Sequence, residues 1–148
     1  DEIGYNYRLS NILAALGRAQ LARLPQMIER RRQIRAMYTE MLADLAGVVV
    51  TPDPPWGVGN SWLTTVTFGK ESRPEASAKV REALQSQHIE ARLIWKPMHQ
   101  QPVFRDHEHH LSGVADRLFD EGLCLPSGAG LTDGDVERVA EGVKAALA

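Results

Sequence analysis

Apolar residues recur at helical spacing from the start of the chain. Ile12, Leu13, Leu16 and Leu24 fall on one side of a helix predicted over 11–24, and Ser10 or Asn11 stands where it can cap the free N–H groups. Gly17 and several alanines suggest close packing against another element. Pro25 is expected to break or kink this helix, or to open the next one at its first turn. A long amphipathic helix then runs to residue 45. Its stripe is Met27, Ile28, Ile34, Met37, Tyr38, Met41, Leu42 and Leu45, and Gly47 fits its stop.

Beyond Gly47 the period falls to two. Residues 48–51 read as a short strand, and Pro52, Pro54, Pro55, Gly57 and Gly59 as a loop. A strand follows over 61–68, with Trp62, Val66 and Phe68 on one side and Ser61, Leu63, Thr65 and Thr67 on the other. Ser72 can cap a helix over 74–87 that turns Ala76, Val80, Ala83 and Leu84 inward. Residues 89–95 read as a strand with Ile89, Ala91, Leu93 and Trp95 on one face, ended by Pro97. After a polar loop over 98–110 come a short helix over 112–121 and a strand over 123–125. Thr132 then caps a final helix with Val136, Val139, Ala140, Val143 and Leu147 inward. The order predicts an α+β two-layer module, a small mixed or antiparallel sheet covered by helices.

Length and charge narrow the classes. The 148 residues suit one core, and 17 basic against 19 acidic side chains leave a net charge of -2. That balance argues against nucleic acid or an anionic membrane as partner. A DNA-binding helix-turn-helix over 11–45 is disfavoured further by the length of its second helix. No apolar run approaches the roughly 20 residues that span a bilayer. The single cysteine, Cys124, excludes an intrachain disulfide and fits a reducing, cytoplasmic setting; between two leucines it reads as a buried structural thiol.

Three loops carry candidate chemistry. In the first, Asn6 offers an amide donor and Arg8 a planar fork of donors, close to a helix N-terminus, a combination suited to an anion such as phosphate. In the second, Trp95, Lys96 and His99 flank Pro97 at a strand end; Lys96 can hold an anionic group and His99 can move a proton near neutrality. In the third, His107, His109 and His110 form a tract whose spacing matches no closed zinc site, so an exposed loop is expected and no metal is assigned. The basic run Arg30, Arg31, Arg32 reads as a solvated helix face beside Glu29, with Arg31 closest to the apolar stripe. No P-loop, GxGxxG or nucleophile elbow is present.

The segment GYNYRLSNILAALGRAQLARL resembles one that recurs in the DegT/DnrJ/EryC1/StrS aminotransferases. IERRRQIRAMYTEML, RLIWKPMHQQPVF and LCLPSGAGLTDGDVERVAEGV fit in the same order, so the resemblance covers the whole chain. It implies the C-terminal small domain of the aspartate-aminotransferase fold. Residues 1–24 would be an interface loop and helix leading from a domain upstream, and 25–148 the small domain. The activity implied is pyridoxal-phosphate-dependent transfer of an amino group, with glutamate as donor, to a nucleotide-linked keto sugar in a homodimer. Asn6 matches an asparagine that reaches the partner's cofactor phosphate, and Arg8 the arginine beside it. Trp95, Lys96 and His99 match a loop on the substrate side. The lysine that holds the cofactor is expected upstream, because none of Lys70, Lys79, Lys96 and Lys144 stands in its setting. No catalytic residue is therefore assigned, and this chain alone is expected to be inactive. The His107–His110 tract and the Ser127-Gly128 pair depart from the family pattern. A truncated, non-catalytic dimerisation or regulatory module is the alternative.

Overall fold

The computed structural model describes residues 3–69 and 75–148. Helix α1 (Asn11–Met41) is followed by strands β1 (Val48–Val50) and β2 (Thr64–Phe68), helix α2 (Ala76–Ser86) and strand β3 (Arg92–Leu93). Two 3-10 turns, Met98–Gln100 and Pro102–Phe104, lead to helix α3 (Val114–Glu121), strand β4 (Gly122–Leu125) and helix α4 (Asp133–Leu147). The strands form one sheet in the order β1-β2-β4-β3, every neighbouring pair antiparallel. The α+β class and the helix-covered sheet are as the sequence predicts.

The expectation of two opening helices is corrected: α1 is a single helix that runs through Pro25. Proline removes one N–H donor from a helix interior. Pro25 and Leu21, four residues earlier, are both exposed, so the carbonyl that loses its donor stands beside water. Ser10 is the N-cap, its hydroxyl accepting from Leu13 N at 3.2 Å. The helix also ends sooner than residue 45. Leu42, Leu45 and Val48 donate to Tyr38 O, Leu42 O and Leu45 O, and Gly47 takes the left-handed conformation (φ 76°) that turns the chain into β1.

One face of the sheet holds the core. Thr64, Val66 and Phe68 of β2 and Leu123 and Leu125 of β4 point to it, covered by Ile34, Tyr38 and Leu42 near the end of α1, Val80 and Leu84 of α2, and Val136, Val139 and Val143 of α4. Helices α2 and α4 approach so closely that a Cβ at Gly142 would stand 2.7 Å from Leu84 Cδ2. Two buried hydroxyls link the layers. Tyr38 donates to Pro126 O at 3.0 Å, and Ser127 Oγ accepts from Thr64 N (2.8 Å) while donating to Leu125 O (2.7 Å), extending the β2–β4 ladder through a side chain. Thr132 forms a capping box with Asp135, which holds the Asp135 carboxyl below its usual range.

Several strand and helix limits shift. Strand β2 begins at Thr64, not at 61, because pairing with β4 starts at the Thr64–Leu125 pair; Trp62 therefore stands outside the sheet, exposed. β3 keeps only two residues, pairing at the sheet edge with Cys124 and Leu123, so Trp95 lies beyond it. Ile89 is buried instead by a turn, its N–H donating to Leu84 O at 2.9 Å. α3 starts at Val114 behind Gly113, whose φ of 75° suits glycine. The proposed Ser72 cap and the start at Pro74 lie outside the described residues.

The arginine run is the other correction. Arg30 donates to Leu131 O (2.7 Å) and pairs with Asp133 (2.8 Å), Arg31 donates to Trp62 O (3.2 Å), and Arg32 to Gly59 O (3.0 Å). Arg35 grips both carboxylate oxygens of Asp53, at 2.5 and 2.7 Å. This face of α1 fastens irregular loops that have no ladder of their own to satisfy their carbonyls.

Candidate functional site

Asn6 and Arg8 lie on an irregular, exposed arm ahead of α1. Asn6 Oδ1 accepts from Arg8 N at 2.9 Å, a turn that leaves the Asn6 amide N–H₂ and the Arg8 guanidinium directed to no other described residue. Tyr5 and Tyr7 flank them with rings 6.2 Å apart. Two donors of this kind just before a helix N-terminus suit a phosphate.

Trp95, Lys96 and His99 share the segment that leaves β3. Trp95 packs its indole against Trp62, 5.8 Å between centroids with 34° between planes. Lys96 is exposed, and its carbonyl accepts from Gln101 Nε2 at 3.3 Å. His99 Nε2 lies 2.7 Å from Asp116 Oδ1, and Gln100 Nε2 donates to the same oxygen at 2.5 Å. Asp116 thus ties the first 3-10 turn to the first turn of α3. The Gln100 hydrogen bond, with His99 second, holds its carboxyl below the usual range. Among the described residues no hydrogen bond or ring contact joins this group to Asn6 and Arg8, so they form two separate parts.

A cleft of about 340 Å³ lies over the sheet face opposite the core, lined by Thr51, Ser61, Trp62, Thr65 and Trp95 together with the Arg35–Asp53 pair. Arg35 brings Asp53 down to about 2, and the Gly59 N–H, at 3.1 Å, contributes. A larger hollow, about 580 Å³, lies between β3–β4 and the start of α4 and contains none of the predicted site residues. Cys124 lines it, buried as expected, with its thiol pushed up by desolvation.

The histidine tract is exposed. His109 Nδ1 is 2.8 Å from His107 O, and the His109 ring stands 5.8 Å from that of His99. Among the described residues, no group of three or more His, Cys, Asp or Glu side chains is arranged to hold a metal ion. Lys79, Lys96 and Lys144 are all exposed; Lys70 lies outside the described residues. Among the described residues no helix is long and apolar enough to cross a membrane.

Sequence reasoning missed Trp62 as the ring partner of Trp95, and Asp116 and Gln100 as partners of His99. The period-two pattern over 61–68 places Trp62 on a strand face. Asp116 carries no local signal, because its role depends on a turn sixteen residues away in sequence.

The DegT/DnrJ/EryC1/StrS aminotransferase family model matches residues 1–144. EpsN of Bacillus subtilis (strain 168), to which pyridoxal phosphate-dependent aminotransferase activity is ascribed, is 44% identical over 145 residues, 95% of this chain and 37% of its own length. The GDP-perosamine synthase of Caulobacter vibrioides is 34% identical over 138 residues, 93% of this chain and 37% of that protein. The crystal structure of DesI, determined in the presence of its TDP-sugar product, superposes with a TM-score of 0.81 at 29% identity, covering 93% of this chain and 35% of DesI. The chain thus spans little more than a third of the length of the curated relatives it matches. Match, identity and shared fold together place it in the DegT/DnrJ/EryC1/StrS aminotransferase family.

Proposed function

We propose that this chain is the C-terminal part of a pyridoxal-phosphate-dependent aminotransferase that passes an amino group, with glutamate as donor, to a nucleotide-linked keto sugar. The observation that carries this reading is the arm before α1. It presents Asn6 and Arg8 as open anion donors and runs into a helix half whose apolar residues Ile12, Leu13 and Leu16 are exposed. Such an arm suits a site completed by another subunit. The family membership, the GDP-perosamine synthase and the TDP-sugar product of DesI support the substrate class.

When bound, pyridoxal phosphate supplies the carbonyl and electron-withdrawing ring that carry the amino group between the substrates. Within the chain, the Asn6 amide and the Arg8 guanidinium hold the cofactor phosphate of the partner subunit and fix its orientation. The Trp95–His99 segment lines the substrate side. Asp116 accepts from His99 Nε2, which leaves Nδ1 of that ring as the atom able to accept a proton or hydrogen bond. The lysine that holds the cofactor lies upstream of these residues, so the chain by itself is inactive, and the working form is a cytoplasmic homodimer.

In the intact enzyme, Asn6→Ala combined with Arg8→Ala is expected to lower retention of pyridoxal phosphate by tenfold or more, read from visible absorbance after dialysis. Unchanged cofactor affinity would remove both residues from the site. For the lysine, the 148-residue chain is mixed with pyridoxal phosphate, reduced with borohydride and mapped by mass spectrometry. Stoichiometric trapping on one of its own lysines would sink the claim that the reactive lysine lies elsewhere.

A further inference from the structure

His99 and His109 meet across the loop that follows β3, their ring centres 5.8 Å apart with 34° between planes. Each ring has one nitrogen already committed, and the acceptor decides where its proton sits. Asp116 Oδ1, 2.7 Å from His99 Nε2, belongs to a carboxylate, so Nε2 holds the N–H and Nδ1 bears a lone pair. His107 O, 2.8 Å from His109 Nδ1, is a carbonyl that can only accept, so Nδ1 holds the N–H and Nε2 bears the lone pair. Among the described residues neither lone pair meets a hydrogen-bond donor. Metal-binding histidines are anchored in this way: one nitrogen faces the ion, and the other gives its N–H to a carboxylate or a backbone carbonyl. The separation fits as well. Two imidazoles that share one tetrahedral zinc, each at about 2.0–2.1 Å, have ring centres roughly 5–6 Å apart.

We propose that His99 and His109 form a two-histidine site for a divalent cation of the zinc, nickel or copper class, with water completing its coordination. Imidazole suits these ions, whereas magnesium and calcium take oxygen ligands. His99 is the fixed ligand, its side chain 16% exposed and tied through Asp116 to the first turn of α3. His109 is exposed, so its ring can turn to meet the ion without disturbing the core. His107 packs edge-on against Phe104, 6.0 Å between centroids, and takes no part. Two protein ligands are fewer than a resident zinc centre uses, in keeping with the lack of any three-residue cluster among the described residues, so the ion is exchangeable. One consequence rests on the aminotransferase reading above. The ion occupies His99 Nδ1, the atom left to accept a proton or hydrogen bond on the substrate side, and so inhibits amino transfer.

Cobalt(II), a coloured stand-in for zinc, is titrated into the intact, cofactor-loaded enzyme and followed by its visible ligand-field absorption at wavelengths beyond the cofactor bands. One ion per subunit is expected, displaced by zinc or nickel and not by magnesium. His99→Ala and His109→Ala should each weaken binding tenfold or more. Asp116→Asn should weaken it about tenfold and Asp116→Glu less, an effect of ligand orientation that loose adsorption to a histidine-rich loop would not show. His107→Ala and His110→Ala should stay within twofold of wild type. If His99→Ala or Asp116→Asn fails to fold, the exposed His109→Ala decides. Binding that survives His109→Ala, or that is lost equally in His107→Ala or His110→Ala, overturns the proposal, as does no cobalt binding up to about 1 mM. Inhibition is scored for each protein as the ratio of amino-transfer rates with and without zinc, and a ratio unchanged by His109→Ala overturns the inhibitory role. An enzyme that passes no amino group to any nucleotide-linked keto sugar overturns the functional reading, while the cobalt titration still decides the site.

Discussion

The two halves of α1 have similar apolar stripes and opposite fates. Before Pro25, Ile12 is 82% exposed and Leu21 66%; after it, Ile34 and Tyr38 are fully buried. The second half lies on the sheet core and is fastened on its polar side by Arg30, Arg31, Arg32 and Arg35. The first half has none of this. A helical stripe therefore states that a face will be covered, but not by what, since the 3.6-residue period is the same against one's own sheet or another chain.

Substitutions can break or sharpen this contrast. The largest effect is expected from Tyr38→Ala, about 3–5 kcal/mol of lost stability from a cavity at the centre of the core, measured by urea unfolding. Tyr38→Phe isolates the hydrogen bond to Pro126 O and should cost about 1 kcal/mol; a cost as large as that of alanine would mean that the hydroxyl, not the ring, joins α1 to the body.

Next comes the polar fastening. Asp53 has its folded pKa depressed from the ordinary 3.8 to about 2, chiefly by the Arg35 hydrogen bonds. A depressed carboxyl contributes stability that is fully present above its unfolded value and is lost as pH falls through its folded value. Asp53→Asn should therefore flatten the decline in stability between pH 4 and 2, seen in acid titrations followed by circular dichroism. An unchanged acid profile would show that Arg35 does not hold this loop.

The smallest effect on folding belongs to the exposed half. Leu16→Ser should alter the unfolding free energy of the chain by less than about 0.5 kcal/mol, while weakening subunit association of the intact enzyme in sedimentation runs. A folding penalty comparable to that of Tyr38→Ala would erase the contrast between the halves.

Much of this was legible beforehand. Ser10 as N-cap, the Thr132 cap, the inward residues of α4, buried Cys124 and the order of strands and helices beyond α1 all follow from short-range signals: a capping hydroxyl, a period of two or 3.6, a proline or glycine at a stop. The donor chemistry of Asn6 and Arg8 was also readable, because it resides in the side chains themselves.

Tertiary structure alone decided the rest. Pro25 passed inside one continuous helix because its freed carbonyl faces water. The arginine run became a set of clasps because the carbonyls it meets arrive from loops 27 to 101 residues away. Trp62 met Trp95 across two strands that are not neighbours, and Asp116 met His99 across a loop. Local pattern fixes the conformation and the inward face of each element, because those depend on neighbours a few residues away. Which distant side chains share a cleft depends on how the packed elements close over one another, and only that closure brought Trp62 to Trp95 and Asp116 to His99.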